Sequence, residues 1–262
     1  MTTEFFSTLL TGYAVLFTVM CVMWLLYRLT KKPMIVDAGW GYAIAILGIF
    51  YAATGSGDEL RRIVLGVMTG LAGIRLGSYL LFTRVLGRHH DARYDMLEAG
   101  WKKNIPFRYF VFYQSQAIAA VLVTVSFIII ARDGRPLWNG WEIAGVLVWF
   151  IAFVGQVTAD AQLNAFKNDP ANKGLVCQKG LWNYSRHPNY FFEWLMWMAY
   201  LLFAASSEGA WIAVLPPAIM LYLLLKVTGI PLTEENAVRS KGEKYKEYQR
   251  TTSAFVPWKK KD

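Results

Sequence analysis

"TLLTGYAVLFTVMCVMWLLYRLTKK", residues 8–32, carries no charge until Arg28, followed by Lys31 and Lys32. A hydrocarbon core of about 30 Å is crossed by roughly 20 helical residues, and this run has that length and apolarity. A cleavable signal peptide places its positive charge ahead of the apolar run; here the charge follows it. The stretch therefore reads as a permanent span whose N-terminus lies outside.

The rest of the chain agrees with that beginning. Of 262 residues, 55% are hydrophobic and 16% aromatic, and the mean hydropathy is +0.31. Soluble domains have fewer apolar and more charged residues. Seven stretches approach spanning length: 8–29, 34–54, 62–84, 108–131, 140–163, 190–206 and 209–228. The expected fold is all-α, a polytopic membrane protein of about seven transmembrane helices plus a cytoplasmic C-terminal helix near 233–250. With seven spans, four connections share one side and hold 3, 6, 4 and 9 basic residues, whereas the other side holds Arg61, Arg62, Arg132 and Arg135. Basic residues accumulate in cytoplasmic loops, so the C-terminus is expected in the cytoplasm. This layout explains the net charge of +9 as orientation, and no nucleic-acid partner is expected. Cys21 and Cys177 make neither a disulfide framework nor a CxxC metal pattern. His89 and His90, with Asp91, lack the spacing of a helical metal pair, so no metal is expected.

Ionisable groups are costly in lipid and face the bundle interior. Asp37, Arg75, Asp160, Glu193 and Lys226 lie in or near the apolar runs, with Gln114, Gln116, Gln156 and Asn164. Asp37 reads as interfacial, as a partner for Arg75, or as a catalytic acid. Arg75 and Tyr79 are four apart and share a helix face. Together these residues describe a polar cavity open to the cytoplasm.

A second stretch, "GLWNYSRHPNYFFEW" at 180–194, concentrates the chemistry. Pro188 disfavours helix at His187 and marks a helix start; Asn189 is a good cap. Free N–H groups at that helix end, with Arg186 and His187 beside them, favour phosphate or carboxylate. Glu193, one turn beyond Asn189, suits an amide, a hydroxyl or an amine. In the tail, Glu235 and Arg239 form an i, i+4 pair, and Tyr245 and Tyr248 fall on one side. An alternative for this tail, and for Lys259, Lys260 and Lys261, is an amphipathic surface lying on anionic headgroups.

"GLWNYSRHPNYFFEWLMW" and "GIPLTEENAVRSKGEKYKEYQRTTSAFVPW", with "VDAGWG" and "IRLGSYLLFTRVLGRHHDARY" before them, resemble the steroid 5-alpha-reductase-like membrane proteins, in the bacterial branch known as DUF1295. The resemblance implies one membrane domain over 1–262, with a substrate-side half at 1–131 and a cofactor-binding half at 132–262, in a bacterial inner membrane. It implies NADPH as cofactor and reduction of a conjugated carbon–carbon double bond in a hydrophobic, lipid-like substrate. Carried onto this chain, the cofactor residues are Asp160, Asn164, Lys167, Asn189, Tyr190 and Glu193, then Glu235, Arg239, Tyr245 and Tyr248 in the tail. Lys167, Arg186 and Arg239, with His187 alongside, would meet the phosphates. Where the steroid reductases use a Gln-Glu pair and a tyrosine, this chain offers Asp37 and Tyr79. Tyr79 is the expected donor to the developing oxyanion, and Asp37 orients it or donates itself. Phe192 stands where the family usually has glycine. Arg93 and Tyr94 recur in the family's loop pattern as loop-anchoring or cofactor-adjacent residues.

The "RHPNY" stretch followed by glutamate also resembles isoprenylcysteine carboxyl and phospholipid methyltransferases, which makes S-adenosylmethionine the alternative cofactor. A non-enzymatic lipid-binding protein is a third class. No G-x-G-x-x-G follows a strand, so a Rossmann site is excluded. The topology has a direct check. A green fluorescent protein fused to the C-terminus is expected to fluoresce and alkaline phosphatase at the same point to be inactive; the opposite pair of signals contradicts an inward C-terminus.

Overall fold

The computed structural model describes residues 2–87 and 92–260, and among them every regular element is helical. His89, His90, Asp91 and Lys261 lie outside the described residues. Among the described residues six segments are long and apolar enough to cross a membrane: Thr3–Thr30, Ile35–Thr54, Glu59–Leu86, Ile105–Arg132, Gly140–Asn168 and Ala210–Lys241. The remaining expected span, 190–206, forms a helix of 17 residues, about 25 Å at 1.5 Å per residue, the short end of what a bilayer needs. The chain divides into two compact units, Met1–Asn139 with Ala204–Pro216, and Gly140–Phe203 with Pro217–Asp262.

The first unit contains α1 (Thr2–Thr30), α2 (Ile35–Thr54), α3 (Glu59–Leu80), α4 (Ala92–Ala99), α5 (Ile105–Val123) and α6 (Val125–Arg132). Its centre is the α2–α3 pair, where small residues let two backbones touch. A Cβ on Gly41 would lie 2.4 Å from the Gly77 nitrogen, and one on Gly73 would lie 2.6 Å from the Ala45 nitrogen. Lipid supplies little hydrophobic force between helices, so such close van der Waals approach carries the association. α1 joins α5 through aromatic rings: Tyr27 and Tyr109 have centroids 4.6 Å apart, and the Trp24 indole donates to Pro106 O at 2.7 Å. The run 108–131 is not one smooth helix. Thr124 interrupts it between α5 and α6, its hydroxyl donating back to Ala120 O at 2.9 Å, a bond that competes with the helical ladder.

One end of this unit is closed by Asp133. Its carboxylate accepts from Arg135 and from the Ser207 hydroxyl at 2.6 Å, and fully buried Arg61 lies 3.5 Å away. Burial would raise the Asp133 pKa, but the hydrogen bonds from Arg135 and Ser207 and the Arg61 charge outweigh it and hold the carboxyl well below its usual range. All four basic residues expected outside thus have local partners: Arg61 and Arg135 with Asp133, Arg132 with Glu4, and Arg62 with the Gly57 and Ala52 carbonyls.

The second unit contains α7 (Gly140–Asn168), α8 (Pro188–Ala204), most of α9 (Leu215–Tyr222), α10 (Ile230–Lys241) and α11 (Glu243–Thr251). α7 has 29 residues, about 43 Å, so its last turns extend past a hydrocarbon core. The single tail helix expected over 233–250 is two helices. Gly242, at φ +57° and ψ −131°, ends α10 and starts α11; that backbone conformation is cheap only for glycine. The packing of the first unit yields a test. Gly77→Leu is expected to abolish recovery of monodisperse protein from detergent, whereas Gly134→Ala, where a Cβ meets nothing within 4 Å, is expected to leave it unchanged. Recovery of Gly77→Leu with wild-type melting would contradict the close α2–α3 contact.

Candidate functional site

The motif at 180–190 is organised from both sides. Gly180 has φ +58° and begins a short 3-10 turn, Gly180–Asn183, whose Leu181 N–H donates to Gln162 of α7 at 2.9 Å. α8 then starts at Pro188, where a missing N–H costs nothing. Asn189 is therefore inside the first turn and not the cap. Its side chain turns to α7 instead, Nδ2 donating to Asp160 Oδ1 at 3.2 Å. Its Oδ1 is buried and has no hydrogen bond. One turn on, Glu193 accepts from Gln156 of α7 and from the Trp197 indole, the latter at 3.1 Å. Asp160 and Gln156 are both buried. A patch of acceptors thus lines the α7–α8 contact at the cytoplasm-facing end expected from the charge pattern.

Phe192 has its space made for it. A Cβ on Gly155 of α7 would lie 2.4 Å from its ring, so the ring rests on a bare helix surface and the acceptor patch keeps its room.

Arg186 and His187 create an anion-favouring position, and the chain fills it itself. Glu234 accepts from Arg186 Nε at 2.6 Å and from His187 Nε2 at 3.1 Å, and also from Gln249 at 2.7 Å. The Arg186 Nη1 donates to Gln249 O at 2.9 Å and Thr252 O at 2.5 Å. Burial pushes the His187 pKa down, more than Glu234 raises it. The ring stacks on Tyr190 at 5.3 Å and 6°, and the Tyr190 hydroxyl meets Thr233 at 3.2 Å. In this structure Arg186 and His187 hold the tail.

Tyr248 completes that attachment. Its hydroxyl donates to Trp182 O and, at 3.1 Å, to Ser185 O. Tyr245 and Tyr248 are buried, and burial raises both phenols above their ordinary pKa. They seal α11 against the motif. Glu235 and Arg239 pair at 3.1 Å, both about 60% exposed. Asn164 and Lys167 are exposed at the end of α7. Glu234, Gln249 and Thr252 are the residues that sequence reasoning missed. Glu234 was visible only as an acid beside Glu235, and no spacing rule points 48 residues back to Arg186.

The expected catalytic pair belongs to the first unit. Asp37 accepts from Arg84 at 3.0 Å, Arg93 at 2.6 Å and Tyr94 at 2.9 Å. With three donors on its two oxygens, Asp37 serves in this structure as an acceptor that ties Arg84 to Arg93 and Tyr94 of α4. Arg93 and Tyr94 take the loop-anchoring role. Tyr79 lies beside Arg75, whose guanidinium is 5.5 Å from the ring centroid, as the i, i+4 spacing requires. Among the described residues no group of three or more His, Cys, Asp or Glu side chains is arranged to hold a metal.

Residues 23–252 match the family model DUF1295, described as a protein of unknown function. No curated protein and no solved structure matches the chain.

The tail attachment can be broken selectively. Arg186→Met leaves the part-buried Glu234 without its cation, with only His187 and Gln249 as donors, a loss of up to about 3 kcal/mol. It is expected to lower the melting temperature and open the chain to trypsin after Lys244 and Lys246. Arg239→Ala removes an exposed pair and is expected to change stability by less than about 0.5 kcal/mol. Equal effects of the two substitutions would contradict the assignment.

Proposed function

The chain belongs to the DUF1295 family, and we propose that this member is an NADPH-dependent membrane reductase that delivers a hydride to the conjugated carbon–carbon double bond of a lipid-like enone. The observation that carries this reading is the acceptor patch at the α7–α8 contact: Asp160, Glu193 and the buried, unbonded Oδ1 of Asn189. A buried acceptor without a donor costs about 1–3 kcal/mol, and a bound donor recovers it. Ribose hydroxyls and a carboxamide NH2 are donors of that kind, so the residues fit the nucleoside portions of NADPH.

Asn189 would accept from the ligand while Asp160 and Glu193 orient it. Lys167 and Arg239, exposed at the ends of α7 and α10, would attract the phosphates, because Arg186 is engaged by Glu234. The bound cofactor supplies the hydride and the protein supplies position and charge. As negative charge grows on the substrate carbonyl oxygen, a preorganised donor stabilises it. Tyr79 is that donor, and the neighbouring Arg75 guanidinium adds favourable charge. Asp37 acts at one remove, fixing Arg84, Arg93 and Tyr94.

NADPH fluorescence with detergent-purified protein tests the site. Asn189→Ala and Glu193→Ala are expected to weaken binding at least about ten-fold, about 1.4 kcal/mol, with size-exclusion profiles unchanged. If both variants bind NADPH like the wild type, the acceptor patch is not the cofactor site.

A further inference from the structure

The chain after α11 does not trail away; it runs back along the motif and is fastened at three points. Arg186 N donates to Ser253 O at 2.8 Å, the Ser185 hydroxyl to Phe255 O at 2.8 Å, and Trp258 N to Tyr184 O at 2.9 Å. Between them, Phe255 packs on Phe191 and Trp194, with ring centroids 5.7 and 5.9 Å away. The result is a fixed cleft of about 400 Å³ lined by Tyr184, Pro257, Trp258 and Lys259. No role in the reductase reading uses it.

Two features of this cleft call for a partner. Its rings are bare: Trp258 is 72% exposed and Tyr184 47%, with Val256 beside them at 49%. Its surroundings are basic: Lys259 lines it, and Lys260 is held next to it by a 2.7 Å hydrogen bond to Gln178. Aromatic rings alone would welcome a quaternary ammonium, but lysines at the rim repel one. An inorganic anion would satisfy the lysines and leave the rings in water. A phospholipid with a net negative headgroup satisfies both, since Trp and Tyr settle at the level where glycerol and headgroup meet. The cleft also lies on the tail, where the charge pattern expects the inner leaflet, and lysines near an anionic leaflet are attracted to it.

We propose that the cleft between Tyr184 and Trp258 is a binding site for an anionic phospholipid of the surrounding leaflet. Lys259 takes the headgroup phosphate and the two rings take the glycerol region. The site is separate from the proposed cofactor patch and stands or falls without it.

Quenching of Trp258 by brominated lipid reads this directly. The full chain and its Trp258→Phe variant are placed in nanodiscs of phosphatidylcholine and phosphatidylglycerol at one fixed composition. The bromines, set near the acyl carbonyl, are carried by one lipid or by the other. The difference between the two proteins isolates Trp258. Its emission is expected to be quenched more strongly by brominated phosphatidylglycerol than by brominated phosphatidylcholine. Lys259→Gln is expected to reduce that preference about five-fold, the worth of one lysine at such a surface. Excess inorganic phosphate is expected to change nothing. Equal quenching by the two lipids, quenching by neither, or loss of the preference on adding phosphate would each overturn the assignment.

Discussion

Inside a bilayer a carboxylate or amide has no water to turn to, so each must find its partner in the protein. That constraint organises this molecule. Asp37 collects two guanidiniums and a phenol. Glu193 takes an amide and an indole, and Asp160 takes the amide of Asn189. The cost of leaving such groups alone fixes which helix faces meet, because a rotation of α7 against α8 would break the Asn189–Asp160 and Gln156–Glu193 bonds together. Against that background the unbonded oxygen of Asn189 is meaningful. Its neighbours Asp160 and Glu193 are hydrogen-bonded, and under the proposed reductase reading a donor on the cofactor would complete it.

The same rule explains the tail. Arg186 and His187 at the head of α8 make a position that favours an anion, and Glu234 occupies it as a built-in carboxylate. Residues that look like ligand contacts are thereby turned into attachments. α10 and α11 are pinned over the motif, and the buried Tyr248 hydroxyl donates hydrogen bonds to the Trp182 and Ser185 carbonyls.

Much of this was legible in the residues. Apolar runs of spanning length, with basic residues crowding one set of connections, are local properties, and they foretell an all-helical membrane protein without reference to partners. The face shared by Arg75 and Tyr79 follows from helical spacing alone. What stayed hidden depended on contacts far apart in sequence. The link from Arg186 to Glu234 spans 48 residues, and the fit of Phe192 on Gly155 needs the register of two helices. Gly242 was a readable warning, since a glycine among lysines near a helix end often takes positive φ. The amphipathic run on both sides of it nevertheless suggests one helix. Asn189 misled for a similar reason: beside a proline it reads as a cap, but Pro188 itself opens the helix and frees the amide to reach Asp160.

The proposed reductase role requires the acceptor patch of α7 and α8 to receive a reduced dinucleotide. Equilibrium titration of the detergent-purified wild-type chain with NADPH and, separately, with S-adenosylmethionine examines that claim most directly. Saturable binding of NADPH with no measurable affinity for S-adenosylmethionine is the expected result. A preference for the methyl donor, or binding of neither molecule, would contradict it.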